Sequence, residues 1–172
     1  MREKSKAVDR RINWVQISIG VLVLAVGSLI YLIDRPPDHT YFVYSSPINI
    51  SLFTTIPQIF GLIGNSLPAF IHVFSFILIT AGLIFCKKRG YLIICLVWFF
   101  IDVVFELGQK FNSLSSMIVP DWFAGIPLLI NTESYFLHGT FDLLDLSAIT
   151  IGAALAYLVL LITNRNKEGA LA

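Results

Sequence analysis

Four runs of apolar residues divide the chain, at 14–33, 68–85, 91–108 and 143–163, and each is long enough for a hydrocarbon layer of about 30 Å. Backbone N–H and C=O groups in hydrocarbon must pair within their own segment, so each run is expected to be a helix. The pattern predicts an all-α membrane protein: one polytopic domain over residues 1–172, with four transmembrane helices and two long external loops. The first run follows a basic stretch, as the core of a signal peptide does. It is longer than such a core and ends in Asp34-Arg35-Pro36-Pro37 with no small-x-small cleavage site, so it reads as a retained signal anchor.

Basic residues set the orientation. Arg2, Lys4, Lys6, Arg10 and Arg11 precede the first run, Lys87, Lys88 and Arg89 join the second to the third, and Arg165 and Lys167 follow the fourth. Ten of the twelve Lys and Arg residues thus lie on one side, and only Arg35 and Lys110 fall on the other. The positive-inside rule then places both termini in the cytoplasm, in a multi-pass protein of the bacterial inner membrane. The external loops are 34–67 and 110–141. The first carries Pro36, Pro37, Pro47 and Pro57, then an apolar patch, 56–63, too short to span and expected to be interfacial or re-entrant. The second carries Trp122, Phe123, Tyr135 and Phe136, residues that favour the headgroup boundary, and is expected to lie on the membrane and cover a site.

Composition excludes other classes. With 56% hydrophobic residues and a mean hydropathy of +0.80, the apolar groups exceed what one water-soluble core could enclose. A net charge of +1 provides no concentrated basic surface for phosphates, so nucleic acid is not an expected partner. Cys86 and Cys95 flank the basic turn without CxxC or Cys/His metal spacing, and read as packing residues. No cofactor is indicated.

The residues that stand out are polar groups inside or at the edge of the spans: Asp102, Glu106, Asp142 and Asp145, with Gln109 and His72. A charge near the bilayer centre costs about 2.5–3.5 kcal/mol on insertion scales, so such residues usually face the bundle interior and act there. Asp102, Glu106 and Gln109 share one helical face. Asp145 is in line with Ala148, Gly152 and Ala156, a strip of small residues suited to close helix contact, while Leu160 is expected on the other side. His72, about one turn below Pro68, is in line with Ser75, Ile79 and Gly82. All six polar groups are expected in one external cavity whose acidity needs compensation from Lys110, His72, His138, a proton, a metal ion or a cationic ligand. A purely structural alternative pairs Lys110 with Glu106, lets Asp142 and Asp145 cap the fourth helix, and leaves Asp102 unpaired.

The stretches Phe70-Ile71-His72-Val73-Phe74-Ser75-Phe76, Glu106-Leu107-Gly108-Gln109 and Thr140-Phe141-Asp142-Leu143-Leu144-Asp145, with Gly152 seven residues on, resemble the VanZ-like family of small bacterial membrane proteins. That pattern has a histidine in one helix, Glu-x-x-Gln ending the next, and Asp-x-x-Asp leading into a Gly-containing last helix. The likeness runs over roughly residues 70–156. Ala69-Phe70-Ile71 replaces the usual Asp-Lys before the histidine, the arginine after Glu-x-x-Gln is missing, and Ile149 stands for a usual asparagine. The resemblance implies a cell-envelope protein, with a founding member linked to glycopeptide resistance and no accepted reaction.

Three roles are compatible with these features. The first is non-catalytic binding of an amphiphilic or lipid-linked envelope ligand, or of a membrane-protein partner, among the membrane lipids. The second is a membrane-embedded hydrolase or transferase with Glu106 and Asp145 as acid/base or metal-ligand groups and His72 as a shuttle. The third is a small accessory subunit of a larger membrane complex.

Overall fold

A computed structural model describes residues 12–36, 51–57, 59–61, 63–84, 86, 88–126, 129–130 and 132–169, with only the backbone for 138 and 165–169. The described residues are helices and turns without strands. In chain order the helices are α1 (Trp14–Asp34), α2 (Ile63–Leu83), α3 (Lys88–Lys110), α4 (Asn112–Ile118), a 3-10 turn (Asp121–Gly125), α5 (Thr132–His138) and α6 (Leu143–Gly169). Four of them, α1, α2, α3 and the Leu143–Asn164 part of α6, are long and apolar enough to cross a membrane.

The centre of the bundle is α2, which packs against α1, α6 and α3, while α3 also packs on α6. Glycines permit the close approaches. A Cβ built on Gly20 of α1 would lie 2.9 Å from the Ser75 carbonyl oxygen, and one on Gly82 of α2 would lie 3.0 Å from that of Asn13. A Cβ on Gly152 of α6 would lie 2.6 Å from Val73 Cγ1 and 2.9 Å from the Phe70 carbonyl, so the small-residue strip of α6 is pressed against α2. Leu160 departs from expectation. It is fully buried in the core with Ile77, Leu78 and Cys95, because four residues beyond Ala156 it returns to the same helix face.

Large apolar side chains also cover the outside: Leu22, Ile93 and Leu158 are all exposed. In lipid, hydropathy therefore cannot separate inner from outer faces, and residue size does so instead.

Three boundaries differ from the sequence reading. α2 begins at Ile63, five residues before Pro68, because a proline near a helix start removes only one internal hydrogen bond. α3 extends at both ends, from Lys88 to Lys110. Among the described residues, the patch at 56–63 forms no short helix of its own. Its described residues turn back on α1, where Asp34 accepts hydrogen bonds from the Ile59 N–H at 3.0 Å and the Phe60 N–H at 2.8 Å, and Ile63 already belongs to α2. Pro37 and Pro47 lie outside the described residues. The second loop is built from α4, the 3-10 turn and α5, and α5 packs on the end of α3.

A polar cluster at the loop end of the bundle

Helix α6 starts where a carboxylate from another helix waits for it. Asp142, the residue before α6, caps its own helix: its Oδ1 accepts from the Leu144 N–H at 2.9 Å. The Asp142 N–H in turn donates to Oε1 of Glu106 on α3, at 2.8 Å. This is the chemistry of a capping box with the glutamate supplied by a different helix. It satisfies two backbone donors, places a buried Glu106 (5% exposed) at the positive end of the α6 dipole, and joins α3 to α6. Glu106 and Asp142 are thus committed to each other.

Asp145 is not committed in this way. Its Oδ1 and Ser66 Oγ of α2 are both buried without a well-formed hydrogen bond, and the Ser66 hydroxyl lies close enough to the Asp145 carboxyl to serve as a donor to it. The cation felt by Asp145 is Arg35, just past the end of α1. Arg35 is held in place by donating from Nη2 to the Asn65 carbonyl at 3.0 Å and by resting over the Tyr31 ring, 4.8 Å from its centroid. Tyr31 also lies within electrostatic reach of Asp145.

Lys110 plays no part in this balance. Its ammonium sits over the Phe141 ring at 5.0 Å, so the expected Lys110–Glu106 pair is replaced by a cation–π contact and by the backbone amide of Asp142. The side chain of His138 lies outside the described residues.

Gln109 faces α5, where its Nε2 donates to the Tyr135 hydroxyl. Partial burial, and then the nearby Glu106 carboxylate, push the Tyr135 phenol up to about 12. Its hydroxyl therefore stays protonated, accepts from Gln109 and keeps its own hydrogen to donate. Phe136 closes the junction by lying on Gly108 and stacking on Phe105, ring centroids 5.5 Å apart.

His72 and Asp102 form a separate pair deeper in the bundle. His72 Nδ1 is 3.1 Å from Asp102 Oδ1 and 3.2 Å from Oδ2. Asp102 is therefore partnered, contrary to the structural reading that left it alone. Since α2 starts at Ile63, His72 is about 13 Å along the helix, near the middle and not one turn from its end. The small residues in line with it also serve another neighbour: Ser75 and Gly82 face α1, while His72 turns toward α3.

The six polar residues therefore form two groups. Glu106, Asp142, Asp145 and Gln109 gather at the loop end with Arg35, Ser66, Tyr31 and Tyr135, and the His72–Asp102 pair lies one turn below Glu106. Among the described residues no group of three or more His, Cys, Asp or Glu is placed to hold a metal ion. Arg35, Ser66 and Tyr31 are the members that sequence reasoning passed over. Arg35 had left a signal, as one of two basic residues on the sparsely charged side.

No family model matches the chain, and no match is found among curated proteins or solved structures.

Proposed function

We propose that the chain is a multi-pass protein of the bacterial inner membrane, with cytoplasmic termini, that binds the polar headgroup of an envelope amphiphile at its loop end without catalysing a reaction. Asp145 Oδ1, buried without a well-formed hydrogen bond and with the Ser66 hydroxyl as its neighbouring donor, carries this reading. A buried carboxylate oxygen without a well-placed donor is more costly than a neutral one, and the cation that acts on Asp145 is Arg35. The complementary ligand brings N–H or O–H donors, ideally on an ammonium group. Tyr135 and Trp122 in the second loop are exposed and suited to the headgroup boundary.

This role also draws on the VanZ-like resemblance, which bears on the site's location through the Glu106, Asp142 and Asp145 motifs and implies no ligand or reaction. It ranks above catalysis because Glu106 is occupied by a backbone amide and therefore poorly placed to transfer protons to a substrate. A photocrosslinking residue at Trp122 or Tyr135 should capture envelope lipid in living cells. Recovery of uncrosslinked protein alone at both positions contradicts the reading. Orientation is tested separately, with Cys86 and Cys95 replaced: a cysteine at Ser134 should react with an impermeant external thiol reagent and one at Asn166 should not. The reverse pattern would move the cluster to the cytoplasmic side.

A further inference from the structure

The His72–Asp102 pair has a feature that the loop-end cluster does not use. Asp102 is 8% exposed, whereas 48% of the His72 side chain is open. On α2, His72 lies between Ile71 and Ser75, which meet α1, and Phe76 and Thr80, which meet Trp98 of α3. Helices α1 and α3 flank α2 and make little or no contact with each other. His72 therefore looks out laterally, at mid-depth of the apolar spans, with Nδ1 held by Asp102 and Nε2 without a partner among the described residues.

Charge balance fixes what Nε2 presents. A pair carrying net negative charge at this depth is expensive. The Nδ1–H tautomer beside a neutral acid would leave the buried acid O–H without an acceptor. The two remaining forms without net charge are imidazolium with carboxylate, and neutral imidazole accepting at Nδ1 from the protonated acid. In both of them Nε2 carries a hydrogen. The flank thus displays an N–H donor where lipid acyl chains have no acceptor. The wall beside it is aromatic: Phe76 and Trp98 are stacked with centroids 4.8 Å apart, and Phe76 meets the His72 ring edge-on at 4.4 Å. The Trp98 indole N–H is already given to Thr80 Oγ1 at 3.0 Å, which leaves His72 as the free donor. Bulky rings prevent the close approach that a partner helix needs, whereas they suit a flat apolar molecule.

We propose that the opening between α1 and α3 binds a membrane-soluble, uncharged carbonyl compound of the quinone class, its oxygen accepting from His72 Nε2–H and its ring lying against Phe76 and Trp98. This site is separate from the headgroup site and stands or falls apart from it.

The test uses full-length protein in nanodiscs with Trp14 and Trp122 changed to Phe, so that Trp98 alone reports. Decylubiquinone should quench its fluorescence saturably. The quinone should be displaced by 2-undecanone and not by undecane, which has the same carbon skeleton without the acceptor. His72→Leu should weaken binding about tenfold, the equivalent of one lost hydrogen bond, and His72→Gln, which keeps an N–H, should recover most of it. Asp145→Asn should leave quinone affinity unchanged. Linear, non-saturating quenching, or equal competition by ketone and alkane, would overturn the proposal. The competition arm needs no substitution at His72, so it remains decisive if those variants fold poorly.

Discussion

The two ends of the helical bundle solve the same problem with different chemistry. At the end near the basic turn the polar groups are neutral: buried Gln16 of α1 donates from Nε2 to Thr163 Oγ1 of α6 at 2.8 Å, and the Asn13 N–H donates to the Gly82 carbonyl at 2.9 Å. At the loop end they are carboxylates, with Glu106 and Asp142 bound into the start of α6 and Asp145 beside them. Among the described residues Gln16 Oε1 at the first end, and Asp145 Oδ1 with Ser66 Oγ beside it at the second, are buried without a well-formed hydrogen bond. An unsatisfied neutral acceptor costs about 1–3 kcal/mol and a charged one more. The neutral end can tolerate its orphan as a packing cost, whereas the charged end carries the larger penalty that motivates the proposed headgroup.

Both ends depend on the α2–α6 contact, so breaking it should have the largest effect. Gly152→Leu forces a side chain into Val73 and the Phe70 carbonyl, and should cost about 3 kcal/mol, read as a fall in Tm in detergent. Leu158→Phe on the exposed face should be neutral. Equal tolerance at both positions would mean that α6 does not dock through Gly152.

Glu106→Ala comes next, because it strands the Asp142 N–H. A loss of about 2 kcal/mol is expected, and Glu106→Gln, which keeps an acceptor, should lose less than half as much. Equal losses would mean that the contact to α6 contributes little.

The neutral end should respond less. Gln16→Leu removes the orphan oxygen together with one hydrogen bond and keeps the volume. Thr163 Oγ1 still donates to the Val159 carbonyl at 2.8 Å, so the change should stay within about 1 kcal/mol. A larger loss would make Gln16 part of a tighter network than its contacts indicate.

The smallest effect concerns Cys86, close to the basic turn. Burial pushes its thiol up, so less thiolate is present at neutral pH than for a free cysteine. Maleimide labelling should be slow at pH 7 and should continue to accelerate with pH beyond the range in which an ordinary thiol has levelled off. Labelling at the rate of a free thiol would show an open turn.

The number and rough limits of the long helices were legible because apolar runs of about 20 residues have one structural solution in lipid. Their mutual faces were less so. The Gly152 strip was readable as a contact because small side chains mark close approach, but Leu160 was misplaced since inner and outer residues are equally apolar. Asp102, Glu106 and Asp145 stood out by being polar in an apolar context. What escaped was which charge answered which: Arg35 reaches the cluster only because the Asp34 carboxylate and the Asn65 carbonyl fold the first loop back onto α2, a tertiary arrangement with no local pattern. His72 lies further along its helix than the sequence reading placed it, because Pro68 was taken as the helix start.

The central claim is that Asp145 awaits a donor from a headgroup, and native mass spectrometry of delipidated protein with two lipids of identical acyl chains tests it most directly. Phosphatidylethanolamine offers ammonium N–H groups, and phosphatidylcholine offers none. The wild-type protein should retain the ethanolamine lipid at least about tenfold better, the value of one charge-assisted hydrogen bond. Asp145→Asn should erase that preference while leaving Tm unchanged or raised, because it removes a costly, incompletely compensated buried charge. Equal retention of the two lipids by the wild type, or an undiminished preference in Asp145→Asn, would contradict the claim.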